Sequence, residues 1–487
     1  MGLSRSSSVS ASASNEKQDK KLSDNGLVTQ GIGRIDEEGQ QGEVVDGVFG
    51  AQGANTGTVN YRAVGWVSTS VLLAKSQIGL GVLSLPDVLH TLGMVPALII
   101  IVAIAVMSTW TDWIIGGPWK AAHPTCYSVA DCGGILGGRI GREIFGGMYW
   151  LLMTCIAGSA LLGLSTALNA ISLHGTCTAV FVAVAAVATF FPASLRTLGS
   201  VKWIGWAGLL SMIVSILLVA IAVGAGGRPS PAPQEGPWDK DIVYFGNPSF
   251  ADAMNAVSNI VFSYAGTAAF LPIASEMRNP KDFKKAVLAC QSFVTAFYLA
   301  VSIVVYMYAG QYVASPALGT AGVLIKRVAY GLALPGLLAA AVIYTHLPAK
   351  YIFVRAMRNS KHLTHSSPTH WMAWLSCTLG CVLFSYVIAS AIPVFGGLVG
   401  LIGALFGSFL TLTGVAWMWF FDNWTRLRNK ELRTAKVIAL AAFNAFISLA
   451  GIFICIGGTY GSVISIRDDY AASGGHPWSC ADNSGSS

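Results

Sequence analysis

The sequence predicts an all-α protein that crosses a membrane many times, and three observations carry that prediction. Apolar residues make up 54% of the 487 and charged residues only 11%, against about a quarter charged in ordinary soluble domains. Eleven apolar stretches follow one another between Val67 and Gly457, each near the ~20 residues that a hydrocarbon core requires. These stretches run unbroken in Leu, Ala, Ile, Val and Gly, whereas barrel strands alternate over segments of about ten residues.

In chain order, residues 1–60 come first. They are rich in Ser, Gly, Gln and Glu and poor in aromatics, a composition that buries too little surface to offset ordering entropy, so a disordered cytosolic tail is expected. Its start has no apolar core of the kind a cleaved signal peptide carries, which leaves the first span to direct insertion. Met1-Gly2 with Ser6 fits the short N-myristoylation pattern formally. A transporter domain over 61–460 follows, with spans expected near 67–90, 93–115, 143–172, 177–193, 203–225, 251–274, 286–309, 328–350, 371–392, 394–421 and 437–458. The remainder, 461–487, is expected to be an extracellular tail.

The Pro-rich loop Gly226-Gly227-Arg228-Pro229-Ser230-Pro231-Ala232-Pro233 divides the first five spans from the next five. Five spans per half invert the second half relative to the first, giving repeat one over 67–225, repeat two over 251–421 and an eleventh helix over 437–458. The first and sixth spans break at matching places. The first carries Ile78-Gly79-Leu80-Gly81 and then Pro86; the sixth carries Ser263-Tyr264-Ala265-Gly266-Thr267 and then Pro272. Paired interruptions in corresponding halves point to a solute-binding site. Glycine also serves close helix packing in membranes, so it is the pairing of the two breaks that carries the signal.

An interrupted helix presents free backbone N–H groups at the start of its second half, where the dipole favours an anion. Unwound carbonyls suit an ammonium or a cation, and such backbone is tolerated at membrane depth where it lines a cavity. A zwitterion satisfies both. Ile78, Gly79, Leu80 and Gly81 are therefore read as substrate-binding, with Gly79, Leu80 and Gly81 assigned to a carboxylate. Ser263, Tyr264 and Ala265 are assigned to an amino group, with Gly266 supplying the turn. Tyr264 is expected at a gate or side-chain pocket.

Ionisable groups inside a membrane default to functional hypotheses. Lys75, about one turn before the first break, stands either in the place of a coupling metal ion, as a proton relay, or as a lysine reaching the cytosolic interface. His346 in the eighth span titrates near neutral pH when free; a hydrogen-bonded packing histidine is the plainer account. Asp252 and Glu276 near the ends of the sixth span are explained by capping or loop electrostatics. Asn255, Asn259 and Asn169 are interhelical hydrogen-bonding candidates.

Other chemistry is excluded by context. The run Gly133 to Arg142 lacks a preceding strand and a Gly-Lys-Ser/Thr ending, and reads as a flexible cytoplasmic link. There is no His-Glu-x-x-His, no Gly-x-Ser-x-Gly and no metal-spaced Cys pair. No enzyme activity, cofactor, metal or nucleic-acid partner is expected.

Basic residues set the orientation, because cytoplasmic loops retain Lys and Arg. With the N-terminus inside, the cytoplasmic loops hold eighteen, among them Lys284, Lys285, Arg355 and Arg426. The outer face holds five: Arg228, Lys240, Lys326, Arg327 and Arg467. The net charge of +7 is thus a topology signal, and the C-terminus is expected outside. Cys177 and Cys480 both fall on that outer side, where an oxidising compartment permits a disulfide, although spacing does not fix pairing. The other seven cysteines read as packing residues or cytosolic thiols.

At this point the residues resemble a known family. Lys75-Ser76-Gln77-Ile78-Gly79-Leu80-Gly81-Val82-Leu83-Ser84-Leu85-Pro86 is similar to the first-helix signature of the amino acid/auxin permease family. Tyr127-Ser128-Val129-Ala130-Asp131-Cys132-Gly133 and Ser275-Glu276-Met277-Arg278-Asn279-Pro280 also look like that family. The resemblance covers the chain after about residue 60 and extends to fungal neutral amino acid permeases of the N-system type. It implies a LeuT-like 5+5 inverted repeat plus one helix. It also implies secondary active uptake of neutral amino acids, aliphatic or aromatic, with fungal members generally driven by protons. Sodium-coupled members have Asn where Lys75 stands, and an ammonium there repels sodium. Thr345 and His346 lie on the helix that supplies the other half of that ion site in the fold.

The expected function is therefore proton symport at the plasma membrane, or alternatively at the vacuolar membrane. The partners are neutral L-amino acids, protons and the bilayer, and a monomer is expected. The alternative class is a nutrient sensor signalling through the long tail.

Overall fold

The computed structural model describes residues 64–195, 198–225, 228–357, 360, 367–473 and 477–484, together with 45–46 and 50–51. Two units are distinguished, Met1–Ala63 and Val64–Ser487. In the first, β1 (Val45–Asp46) pairs antiparallel with β2 (Gly50–Ala51). The rest of the expected tail, with its myristoylation pattern, lies outside the described residues, as do Arg196, Gly226, Gly227, Arg358 and Lys361.

The second unit is helical. The first expected span is two helices, α1 (Trp66–Gln77) and α2 (Leu85–Leu92), joined through Ile78–Leu80 and a 3-10 turn at Gly81–Leu83. Glycines flanking Leu80 remove helix propensity. Ser84 Oγ donates to the Gly81 carbonyl at 2.8 Å, and Pro86 falls in the first turn of α2, where its missing N–H costs nothing. Helix α3 (Met94–Ile114) continues through a π-helical stretch, Ile115–Trp119, that contains Pro118.

Helix α4 (Val129–Ser172) corrects one expectation. The run Gly133 to Arg142, read as a flexible link, is helical on both sides of a kink at Gly137 and Gly138. A Ser128–Asp131 capping box starts the helix upstream of the apolar stretch. Gly138, at φ +59°, then turns the chain. Apolar patterning does not reveal this because the segment is too polar to count as a span.

Helices α5 (Thr178–Ala193) and α6 (Leu198–Gly224) complete the first half. The sixth span is α7 (Phe250–Ser263) and α8 (Thr267–Ser275). Then come α9 (Phe283–Ala309), α10 (Val323–Ala356) and α11 (Pro368–Ala391). The tenth span is α12 (Phe395–Ile402), a π-helical stretch (Gly403–Thr413) and α13 (Gly414–Arg428). The last helix, α14, runs Ala435–Ser473, past the expected end at 458, so the beginning of the expected tail is helical. Among the described residues nine helical stretches are long and apolar enough to cross a membrane; Thr178–Ala193 and the divided first span fall outside that group.

The packing repeats between the halves. Helix α1 lies against α8 and α2 against α7; α4 packs on α10 and α5 on α11. Helix α6 packs on α10 as α12 packs on α4, and α9 packs on α1 and α6 as α3 packs on α7 and the π-helical stretch of the tenth span. Exchanging the halves maps this pattern onto itself, as an inverted repeat with broken first members does. This is the LeuT-like arrangement.

Residues 477–484 are fastened to one end of the bundle. Cys480 is disulfide-bonded to Cys177, with Cα atoms 4.4 Å apart. Thr178 Oγ1 donates to the Ala481 carbonyl at 2.6 Å, and Asn169 Nδ2 donates to Asn483 Oδ1 at 2.7 Å.

Candidate functional site

The two breaks meet. A Cβ built on Gly81 stands 2.5 Å from Ser263 Cα, and one built on Gly266 stands 2.7 Å from Gln77 Cγ. Glycine at both places is what lets the interrupted backbones touch. Tyr298 on α9 fastens the junction: its hydroxyl lies 2.9 Å from the Gln77 carbonyl and 3.0 Å from the Ser263 carbonyl, sharing one proton between the last residues of α1 and α7. Tyr344 on α10 donates to the Ser76 carbonyl at 2.9 Å. One end of the broken pair is tied as well. Val64, just before α1, forms a parallel bridge with Met277, just after α8; Arg278 N–H donates to the Val64 carbonyl at 3.0 Å.

The junction offers the complement of a small polar solute. Leu83 and Ser84 N–H groups donate back to Leu80 and Gly81 carbonyls, whereas those of Gly79 to Val82 meet no backbone carbonyl among the described residues. Free N–H groups at such a turn favour an anion. A Cβ at Gly79 would meet nothing within 4 Å, so space lies open there. Gln77 is 5% exposed, and both its amide atoms are buried without a hydrogen-bond partner. Leaving such an amide unpaired costs about 1–3 kcal/mol, and this one stands directly at the break.

The assigned residues of the second break behave differently from one another. The Ser263 hydroxyl donates to its own helix, at the Asn259 carbonyl, and its carbonyl takes the Tyr298 bond. The Tyr264 carbonyl accepts from Gly266 N–H at 2.8 Å. The Tyr264 ring is buried against Tyr298 with ring centroids 5.4 Å apart, and its hydroxyl donates to Thr295 at 3.1 Å. It is therefore part of the packed wall behind the break. A cavity of about 260 Å³ lies between α2, α7, α12 and α14, lined by Asp87, Asn255, Asn259 and Asp469 among others. Asn259, one turn before Ser263, is 3% exposed and leaves Oδ1 unpartnered.

The ion-coupling candidates do not converge. Lys75 on α1 is half-buried and has no hydrogen-bond or ion-pair partner among the described residues. Thr345 and His346 are each 1% exposed. His346 Nδ1 donates to the Ala193 carbonyl at 3.1 Å, and its ring meets Trp374 edge-on. It packs between α10, α5 and α11, while Tyr344 is the α10 side chain that reaches α1. Among the described residues no group of three or more His, Cys, Asp or Glu is placed to hold a metal.

Sequence reasoning missed a buried acid. Asp112 on α3 is wholly buried. Thr267 Oγ1 donates to its Oδ1 at 2.6 Å and Gln291 Nε2 to its Oδ2 at 2.5 Å. Thr267 is the first residue of α8, so the acid touches the helix that leaves the second break. The available signal was its standing as the only acidic residue of the second span, between Met94 and Ala122.

Residues 62–464 match the family model described as transmembrane amino acid transporter protein. A Fusarium pseudograminearum protein named transmembrane transporter is 33% identical over 432 residues, covering 88% of this chain and 90% of that protein. The N amino acid transport system protein of Neurospora crassa is 33% identical over 440 residues, again covering 88% of this chain and 90% of the relative. Among solved structures, the substrate-bound outward-open state of a Na+-coupled sialic acid symporter aligns with a TM-score of 0.49 and 14% identity, over 83% of this chain and 90% of that chain.

Proposed function

The chain belongs to the transmembrane amino acid transporter family, and on that premise we propose that it imports neutral amino acids by proton symport with alternating access. The observation that carries the reading is the contact of the two breaks at Gly81 and Ser263 beside the unpartnered Gln77 amide. Free N–H groups of Gly79, Leu80 and Gly81 receive the substrate carboxylate. The ammonium group goes to second-break carbonyls, Ala265 foremost, because those of Ser263 and Tyr264 already accept bonds. Buried Ile78, Leu80, Val82 and Phe262 at the breaks suit an aliphatic or aromatic side chain, and the name of the Neurospora crassa relative agrees with an amino acid substrate.

The reading takes eleven crossings from the apolar stretches, and a cytosolic N-terminus with an outer C-terminus from the distribution of basic residues. The Cys177–Cys480 disulfide supports placing that end of the bundle in an oxidising compartment. Lys75, unpartnered beside the first break, stands in place of a sodium ion and so favours protons as the coupling ion. No described feature favours the sensor, whose support was the tail.

The test is uptake of labelled leucine or phenylalanine into proteoliposomes, with and without an inward proton gradient and in sodium-free buffer. Accumulation that follows the proton gradient is the expected result; none in either condition refutes symport. Lys75→Asn should make uptake respond to sodium. An unchanged ion dependence removes Lys75 from the coupling site.

A further inference from the structure

We infer that Asp112 is the proton-binding carboxyl of the transport cycle and that it passes its protonation state to the second break through Thr267. This rests on the symport reading. Three features of the site carry it. The carboxyl is wholly buried inside a membrane-spanning helix, and among the described residues no Lys, Arg or His pairs with it. A carboxylate so placed is expensive unless a function retains it. The second feature is position: its Oδ1 is held by the first side chain of α8, so any change at the carboxyl acts on the helix whose start frames the solute.

The third feature is that both protonation states of the carboxyl can be hydrogen-bonded by the same two side chains. With Asp112 ionised, Thr267 and Gln291 both donate to it, one to each oxygen. Gln291 is 3% exposed, and its Oε1 is buried without a partner. When a proton from water forms an O–H bond on Oδ2, a half-turn of the Gln291 amide presents Oε1 as the acceptor. Breaking that O–H bond returns the proton to water and the amide to its donating orientation. A side chain holding an idle acceptor against a carboxyl is the partner a proton-carrying group requires. In the ionised state Thr267 is bound by a charge-assisted bond, roughly twice the strength of a neutral one. Protonation therefore loosens α8 from α3.

Among the described residues the other titratable groups on the surrounding elements make no hydrogen bond or ion pair with the carboxyl, whose bonds go to Thr267 and Gln291. On α9, the buried Cys290 precedes Gln291, and Lys284 Nζ lies 5.9 Å from the ring centre of the neighbouring Trp113. Tyr298, on the same helix, is committed to the break. The π-helical stretch Gly403–Thr413 holds no titratable residue. On α8 and α7 the acids Glu276 and Asp252 stand at the far ends, and Asp87 and His90 of α2 lie beyond the first break. Asp422 of α13 is paired with His123.

Wild-type protein and Asp112→Asn are compared in proteoliposomes for two readouts: accumulation of labelled leucine under an inward proton gradient, and leucine exchange without a gradient. The amide imitates the protonated carboxyl. Exchange should persist while gradient-driven accumulation falls by about 5- to 150-fold, the usual range of a coupling between two sites. Asp112→Glu, which keeps a titrating group, should retain accumulation with a displaced pH profile. Undiminished accumulation in Asp112→Asn, or loss of exchange in the folded variant, overturns the assignment. Should Asp112→Asn fail to fold, Gln291→Leu decides: it removes the acceptor, and unchanged gradient dependence overturns the assignment whereas uncoupled exchange supports it. A wild-type protein that exchanges leucine but never accumulates it defeats the symport reading itself, a result distinct from failure at Asp112.

Discussion

Replacing Gly81 by alanine tests whether contact between the breaks is what makes the site. The added Cβ would stand 2.5 Å from Ser263 Cα, 0.9 Å inside the 3.4 Å at which ordinary contact begins. The obstacle includes backbone, so α1 and α7 must separate instead of a side chain turning aside. Overpacking of this kind costs about 1–3 kcal/mol, and at 1.4 kcal/mol per tenfold that is roughly a 5- to 150-fold loss of the close-contact state and of leucine affinity with it. The comparison is Gly79→Ala, two residues earlier, where a Cβ meets nothing within 4 Å. That variant should keep the wild-type unfolding midpoint in detergent while losing affinity, because its methyl occupies the open space beside the free N–H groups. Equilibrium binding of labelled leucine and the unfolding midpoint are measured for both. Wild-type affinity in Gly81→Ala refutes the reasoning, as does a fall in midpoint for Gly79→Ala that equals the fall for Gly81→Ala.

Gln77→Leu removes a buried amide that has no partner, so the empty protein should be as stable as wild type or more so, with weaker leucine binding; a lowered midpoint shows that the amide serves the fold instead. Tyr298→Phe deletes the hydroxyl between Gln77 and Ser263. At about 0.5–1.5 kcal/mol for a net hydrogen bond, affinity should fall by about two- to twelve-fold, and unchanged affinity shows that the bond does not set the site. Cys177→Ser frees the exposed Cys480. It should lower the midpoint, in keeping with the ~2–4 kcal/mol typical of a disulfide, and a membrane-impermeant maleimide should label Cys480 on intact cells. Failure to label contradicts the outer placement of that end.

Most of the fold was legible because lipid imposes a length and a composition on every crossing. The breaks were legible for a related reason: Gly79, Gly81 and Gly266 stand where propensity fails inside otherwise apolar runs. The elbow in α4 was not, since its helical start depends on the Ser128–Asp131 capping box and not on hydropathy. The long α14 escaped for the opposite reason: its last turns, with Arg467, Asp468 and Asp469, are too charged to read as a span. Within the site, Gln77 was quoted as part of a motif without a role, because its importance lies in having no partner, which only three dimensions reveal. Asp112 was visible as an acid in an apolar run, yet its link to Thr267 spans 155 residues. His346 shows the converse. Its position on α10 was readable, but two residues of helical rotation separate it from Tyr344, which is the side chain that reaches α1.

Alternating access requires the two halves of each broken span to move separately, and the ties at the two ends divide them that way. On the proposed inner side, Val64 pairs with Met277, so α1 and α8 share a backbone link. On the proposed outer side the segment that leads into α7 is bound to the end of α2: Gly246 N–H donates to the Leu92 carbonyl at 3.1 Å, and Met94 N–H donates to the Val243 carbonyl at 3.0 Å. Gly93, at φ +84°, permits that clasp, since a Cβ there would strike Gly246. The inner halves are thus joined to each other and the outer halves to each other, and the two pairs meet at the breaks. Tyr298 spans those breaks from α9, and Asp112 grips the inner pair at Thr267. In the proposed cycle, substrate held at the breaks stabilises the contact between Gly81 and Ser263, and a proton on Asp112 loosens the inner pair from α3. Each ligand then acts on a different attachment of the same mobile unit, which is the condition for one to drive the other.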